Sequence, residues 1–575
     1  MAYAPGRMTS DILRVGNASG FYGDRFSAMR EMLDGGPLDV LTGDYLAELT
    51  MLILGRDRLK DPETGYAKTF LKQMEQCLAI AIAKKTSIVV NAGGLAPAAL
   101  AKALRGLAAK LGIDGVRVGH VEGDDLVGRA AELGLGSPLT ANAYLGAWGI
   151  AECLRAGANV VVTGRVTDAS LVVGAAAAHF GWKPDDWDAL AGAVVVGHVL
   201  ECGMQATGGN YAFFEEIEVG LPGFPLAEMH ADGSAVITKH PGTGGAVTVD
   251  TVLAQLVYEI EGARYAGPDV TTRFDTIALR ADGKDRVRIE GVKGEPPPPT
   301  LKVSLNRLGG YRNDVGFVLV GLDIEAKAEL ARAQMEASLG KKPAEMVWSL
   351  TRTDREDADT EAGASALLRL VAKDPDPSVV GRALSNVAVQ IALGSYPGFT
   401  MTHPPEDASP YGVYTPGYVD ATKVEHVAVL PDGTRVTIAP SSKTLALEPL
   451  GAPEVGEAPA FDATERGPLG LVIGARSGDK GGTANIGVWA RTDEAFAWLV
   501  RFLDVAKLGE LLPETATLPV ERHVFPNMRA MNFVVPGMLG EGVASSTRFD
   551  PQGKAIGEWL RSRWVEIPRA LRPSS

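Results

Sequence analysis

Over its first two hundred residues the chain alternates short apolar runs with helical segments, and each apolar run stops at glycine plus a polar side chain. Strands are expected at residues 11–15, 38–42, 87–90, 116–121 and 159–162. Helices are expected at 69–85, at 97–110 (opened by Pro97, a favoured residue near a helix start) and at 141–155. Near-continuous apolar strands spaced by helices predict a parallel sheet with helices on its faces. In such sheets ligands bind in the crevice beyond the carboxyl ends of the strands. Those ends carry Asp24, Asp44, Asp124 and Asp168, which can act as acid, base or cation ligand. Beside them stand Asn17, Ser19, Gly20, Asn91, Gly93, Gly94 and Arg165, whose glycines let backbone approach a substrate and whose side chains can bind one. A single Asp after a strand usually caps the next helix. Several in one crevice point to a site, because gathered carboxylates need a cation, a shared proton or a substrate to offset their repulsion.

The rest of the chain reads in three parts. A helix is expected over 190–204, where it places His198 and Glu201 three residues apart. That spacing suits an acid–base pair or two metal ligands, against a structural histidine as the plainer alternative. Cys202 is a nucleophile or, by default, a buried thiol. From 213 the texture becomes α+β. It has a hairpin around Asp232-Gly233, alternating strands over 273–292, and helices at 249–260, 324–339 and 379–393, the last with Ser378 as its cap. Residues 451–468, rich in Pro, Gly, Ala and Glu, read as a linker. Residues 469–575 then run strand, loop, strand, helix, helix, strands, helix, which suits a ferredoxin-like α+β domain. The expected fold class is α/β: a large domain over 1–450, with a mainly parallel sheet in 1–212 and an α+β extension in 213–450, followed by the linker and the small C-terminal domain.

Composition narrows the function. At 46% hydrophobic and 22% charged the chain is globular. A net charge of −14 argues against nucleic-acid binding. Three cysteines form no paired framework, which suits a reducing compartment. No apolar run is long enough to span a membrane, and Met1–Ser10 lacks the apolar stretch of a signal peptide, so a cytoplasmic protein is expected. No His/Cys cluster has zinc spacing; Mg²⁺ held by carboxylates together with a substrate phosphate stays open, and the metal is unassigned. A homo-oligomer is expected on base rates.

The densest polar chemistry lies in residues 474–488, Gly-Ala-Arg-Ser-Gly-Asp-Lys-Gly-Gly-Thr-Ala-Asn-Ile-Gly-Val. This reads as a glycine-rich loop between strands at 469–473 and 486–490, with Arg476, Ser477, Asp479, Lys480 and Asn485 facing a ligand. It lacks P-loop spacing, and an ordinary glycine turn is the alternative. Set beyond the linker, it is expected to complete the crevice of the large domain rather than to form a site alone.

This stretch resembles the hallmark of the acyclic terpene utilisation protein A family. Gly16-Asn17-Ala18-Ser19-Gly20-Phe21-Tyr22-Gly23-Asp24, Thr42-Gly43-Asp44-Tyr45-Leu46-Ala47-Glu48, Asn91-Ala92-Gly93-Gly94 and Thr163-Gly164-Arg165-Val166-Thr167-Asp168 are similar to it as well. The resemblance covers nearly the whole chain and implies a large α/β domain with a ferredoxin-like domain behind it. It implies a place near acyl-CoA catabolism, with a CoA thioester as substrate, and it carries over no catalytic residue set. Two functions follow: a catabolic enzyme acting on a branched-chain acyl-CoA by hydratase or lyase chemistry, or a non-catalytic partner of acyl-CoA carboxylase subunits.

Overall fold

The computed structural model describes residues 11–61, 63–457, 460–461 and 463–573. The reading of Met1–Ser10, and the part of the 451–468 linker at 458, 459 and 462, lie outside the described residues. The chain forms two compact units. One takes residues up to 306, 414–543 and from 552 onward; the other takes 307–413 and 544–551.

The first unit is built on an eleven-stranded sheet. Its centre is parallel, in the order β1 (Leu13–Asn17), β2 (Val40–Gly43), β3 (Ser87–Val90), then the strand Val160–Thr163 and the strand Val118–Glu122. Its unbroken β-branched runs explain this position: Ile88, Val89, Val90, Val160, Val161 and Val162 are all buried, as strands covered on both faces must be. Antiparallel strands complete both edges. Pro225–Met229, Ala235–Lys239, Val287–Glu290 and Ala278–Ala281 extend it beside β1, and His426–Val429 and Arg435–Ile438 extend it at the other edge. The hairpin around Asp232-Gly233 is therefore part of the main sheet.

The helix expected over 141–155 is shorter. Thr140–Ala143 is a strand, paired antiparallel with residues 303–306, and the helix is Trp148–Arg155. Backbone pairing with a distant strand overrides the helical preference of the alanines there. In the second unit, residues 311–320 pair with Ser365–Asp374, which pairs in turn with Glu345–Thr351. The helix Ile324–Ser338 packs on this sheet through Ile324, Ala328, Ala331 and Met335. The helix expected over 379–393 is split at Gly381 into Pro377–Val380 and Arg382–Gln390. Its cap is Asp376, whose side chain accepts from the Ser378 amide.

The C-terminal region has a four-stranded antiparallel sheet in which Ile473–Lys480 pairs with Thr483–Ala490, which pairs with Ala530–Val535, which pairs with Glu521–Phe525. The 474–488 stretch is thus a hairpin and not a loop. Only Gly481 and Gly482 form the turn, with Gly481 at φ +67°. The two faces of the hairpin divide the sequence by alternation. Ile473, Ala475, Ile486, Val488 and Ala490 enter the C-terminal core. Arg476, Lys480, Asn485 and Trp489, interleaved with Gly474, Gly478 and Gly487, occupy the opposite face. Trp489 joins the core of the α/β sheet, together with Phe525 and Met528. The glycines make that face flat. A Cβ on Gly487 would lie 2.3 Å from the Val257 carbonyl oxygen, and one on Gly478 would lie 2.3 Å from the Tyr258 ring. Gly487→Ala should therefore lower stability by about 1–3 kcal/mol, since backbone must give way; a thermal melt matching the parent protein would contradict this packing.

Candidate functional site

Four strand ends converge on one buried polar cluster. Asp44, just past β2, accepts from Asn91 Nδ2 and from the Leu46 amide at 3.0 Å. Asn91 in turn accepts from the Tyr45 amide at 2.7 Å. Asp124 accepts from Asn142 Nδ2 and from the Arg165 amide, both at 2.8 Å. The Arg165 guanidinium donates to the Leu46 carbonyl at 3.0 Å and to Asp168 Oδ1 at 2.8 Å. It also lies 4.4 Å from the centre of the Tyr144 ring.

Burial dominates the protonation of these groups. It lifts Asp44 well above the carboxylate range, aided by the nearby charge of Asp168 and opposed by Arg165. It pushes Asp124 up to about 7 against the pull of its two donors. Asp168 is raised as well, by burial against the charge of Arg165, yet its side chain keeps 30% of its exposure. Asp44 and Asp124 are held by neighbouring donors and tie the strand ends together. Asp168 is the one of the three with room to meet a substrate.

The cluster continues through residues with no strand-end signature. Glu48, first residue of the helix Glu48–Lys60, accepts from the Tyr144 hydroxyl at 3.2 Å. Burial raises it, but Lys302 and Arg165 outweigh burial and hold its carboxyl below the usual range. Glu259 moves the opposite way. Burial, with Glu201 and Glu48 as like charges, pushes it up to about 8. Burial also lifts Glu201 well above its range and brings His198 down to about 4. His198 Nδ1 lies 2.9 Å from Glu201 Oε1, out of line for a hydrogen bond. The helix therefore does juxtapose this pair, as two neutral groups. Cys202 is held far above thiolate reactivity by burial.

The hairpin face reaches this cluster. Lys480 Nζ donates to the Glu259 carbonyl at 3.2 Å and lies 5.1 Å from the centre of the Tyr265 ring. Asn485 accepts from the Glu259 amide at 2.7 Å, and its Nδ2 donates to Asn532 Oδ1 and to the Val257 carbonyl. Asn532 Nδ2 donates to the carbonyls of Ile260 and Glu261, each at 2.8 Å. Glu259 sits at φ +56°, a costly conformation for a side-chain-bearing residue. The two asparagines hold it there.

Other residues singled out from the sequence are placed elsewhere. Asn17 donates to the Leu200 carbonyl at 2.6 Å and ties β1 to the end of the helix Trp187–Glu201. Ser19 bonds the Phe21 carbonyl, and Asp24 closes its own loop by accepting from the amides of Gly20 and Arg25. A Cβ on Gly20 would meet the Cys202 backbone at 2.9 Å, and one on Gly93 would meet the Thr163 carbonyl at 2.4 Å; both serve close packing. Gly94 takes φ +53° in the turn before Pro97. Arg476 is spent on the Gln205 side chain, the Asn210 carbonyl and the Tyr258 face. Ser477 bonds residues 554 and 557, and Asp479 stands with it on the other face of the hairpin. Glu48 closes the Thr42–Glu48 stretch of the family resemblance without being marked as a site residue, and Tyr144, Lys302, Glu259 and Tyr265 carried no signal of their own.

Among the described residues no group of three or more His, Cys, Asp or Glu is arranged to hold a metal ion, and no helix is long and apolar enough to cross a membrane. An open cavity of about 670 Å³, lined by Asp11, His179, His230, Asp232 and Arg288 among others, lies at the amino ends of the parallel strands, away from the cluster.

Two family models match the chain. The one described as acyclic terpene utilisation family protein AtuA matches residues 13–430, and the AtuA ferredoxin-like domain matches residues 468–566. No curated protein matches.

Burial of Asp124, 3% exposed, has a consequence for stability. The folded chain keeps this proton up to about pH 7, whereas the unfolded chain releases it near pH 4. Stability should therefore fall as pH rises across that window, by up to about 4 kcal/mol. Asp124→Asn keeps an acceptor for Asn142 and Arg165 but has no proton to lose. Its melting temperature relative to the parent should climb from pH 4 to pH 7 and then level off; a difference that shrinks with pH would contradict the assignment.

Proposed function

The chain belongs to the acyclic terpene utilisation family, and from that premise we propose that it is a cytoplasmic catabolic enzyme acting on a branched-chain acyl-CoA by hydratase or lyase chemistry. The observation that carries this reading is the opposed pair of carboxyls, Glu48 held ionised and Glu259 held protonated, within one cluster at the carboxyl ends of the sheet. Groups pushed apart in this way supply a base and an acid at one pH. In the elimination direction, Glu48 takes the proton from the carbon next to the thioester carbonyl. Glu259 gives its proton to the departing hydroxyl, which leaves as water, and a carbon–carbon double bond forms. Hydration is the reverse, with the two protons moving back. Asp168, anchored by Arg165 and partly exposed, is the second base candidate. Tyr144 and Arg165 orient Glu48 and strengthen its charge.

The test is turnover of a panel of branched 3-hydroxyacyl- and enoyl-CoA thioesters, with and without Mg²⁺. Glu259→Gln and Glu48→Gln should each lower kcat by about 100-fold or more. Because the acid form of Glu259 is present below about pH 8, elimination should slow as pH rises through 8, and Glu259→Gln should lose that alkaline limb. Unchanged kcat in both variants would overturn the assignment of roles. No turnover and no binding of any thioester would overturn the enzyme reading and favour an accessory subunit.

A further inference from the structure

Lys554 stands beside the Glu259 carboxyl and has no part in the chemistry above. Its Nζ lies 3.7 Å from Glu259 Oε1, too far for a hydrogen bond, and donates instead to the Tyr258 hydroxyl. It also lies 4.6 Å from the centre of the Tyr258 ring. Two residues of the 474–488 hairpin that the proposed reaction leaves unused fix this arrangement. Ser477 Oγ donates to the Lys554 carbonyl at 3.1 Å and accepts from the Gly557 amide at 2.8 Å. The Arg476 guanidinium lies 4.7 Å from the centre of the same Tyr258 ring, and Tyr258 is buried. The side chains of Lys554 and Glu259 keep 37% and 33% of their exposure, so the pair is not sealed from solvent. A protonated carboxyl gains little from a nearby ammonium, whereas a carboxylate at that distance is stabilised by it.

We propose that Lys554 is a positioning residue for the acid: the Tyr258 hydroxyl holds its ammonium off the protonated Glu259 carboxyl, and the ammonium takes up the negative charge left on Glu259 once the proton has gone. In the elimination direction the Glu259 O–H bond breaks, the proton passes to the departing hydroxyl, and the carboxylate that remains finds a counter-ion already in place. This rests on the reading of Glu259 as the acid. Held off by Tyr258, Lys554 weighs less on the resting carboxyl than Lys480 does. Glu48, Glu201 and Asp168 act on Glu259 as like charges, and Arg476 feels Glu259 as an opposite one. Lys554 itself feels Cys202, which burial keeps as a neutral thiol, and Glu48. Each of these groups stays in place when Lys554 or Tyr258 alone is replaced.

The test is infrared titration of the Glu259 carboxyl in the full chain without substrate, each variant differenced against its Glu259→Gln counterpart. Lys554→Met keeps the apolar stem but no charge, so the carboxylate loses its counter-ion and the midpoint should rise by about half a pH unit or more. Tyr258→Phe keeps the ring and frees the ammonium to close on Glu259, so the midpoint should fall by a similar amount. Lys554→Arg keeps the charge and should hold the midpoint at or below that of the parent protein. A lysine that only held the fold would not give shifts of opposite sign in the first two variants. In the turnover assay the alkaline limb of elimination should follow the midpoint in each variant. A midpoint indifferent to Lys554→Met, a rise in Tyr258→Phe, or a limb that stays fixed while the midpoint moves overturns the proposal. Opposite shifts of the midpoint without turnover of any thioester would leave Lys554 as the counter-ion of Glu259 while the reaction proposed above fails.

Discussion

The contact on which the site depends is the grip of Asn485 and Asn532 on residues 257–261. The helix Val249–Leu256 ends there, and a helix end leaves backbone groups without partners. The asparagine amides take the carbonyls of Val257, Ile260 and Glu261, and Asn485 Oδ1 takes the Glu259 amide. Both asparagines are buried in the small domain. Their bonds offset the left-handed backbone of Glu259 and the burial of four polar backbone groups. The hairpin can come this close because Gly478 and Gly487 stand opposite Tyr258 and Val257. The small domain thus supplies a wall of the cluster as well as one of its cations.

Burial then does the chemical tuning. Removing water raises Asp44, Asp124, Asp168, Glu201 and Glu259 together. It lowers His198, Lys302 and Lys554. Only where cations are near enough does a carboxylate escape this trend, as Glu48 does beside Lys302 and Arg165. The direction for each carboxyl therefore follows from burial set against its charged neighbours: Lys302 and Arg165 win at Glu48, whereas burial with Glu201 and Glu48 wins at Glu259 over Lys480, although Lys554 Nζ also lies 3.7 Å from Glu259 Oε1. The protons held by Asp124, Glu201 and Glu259 keep the cluster from carrying a prohibitive negative charge.

Much of this is legible in the sequence. Glycine plus a polar residue at each strand end locates Asp44, Asn91, Asp124, Arg165 and Asp168, and the structure places these in one cluster. Asp24 and Asn17 share the same signature but serve their own loop and helix end, because a strand-end Asp caps backbone as readily as it meets a substrate. The 474–488 stretch misleads because its glycines suggest a loop. Its alternation of Gly-Arg-Gly-Lys against Ile-Ala-Ser-Asp is the strand signal that the glycines hide. The roles of Glu48, Tyr144, Lys302 and Glu259 are hidden for a different reason. Each is an ordinary charged or aromatic residue locally, and it gains its role from partners far along the chain, as Glu48 does with Lys302.

The central claim is that burial beside Glu201 and Glu48, against the pull of Lys480, keeps the Glu259 carboxyl protonated at neutral pH. Infrared difference spectroscopy of the full chain against Glu259→Gln, titrated from pH 5 to pH 10, measures this directly. The expected result is a protonated-carboxyl band, absent from the variant, that persists at pH 7 and disappears with a midpoint near 8, and a lower midpoint when Asn485 is replaced by Ala. A Glu259 carboxyl already ionised at pH 6, or a midpoint indifferent to Asn485, would contradict the account.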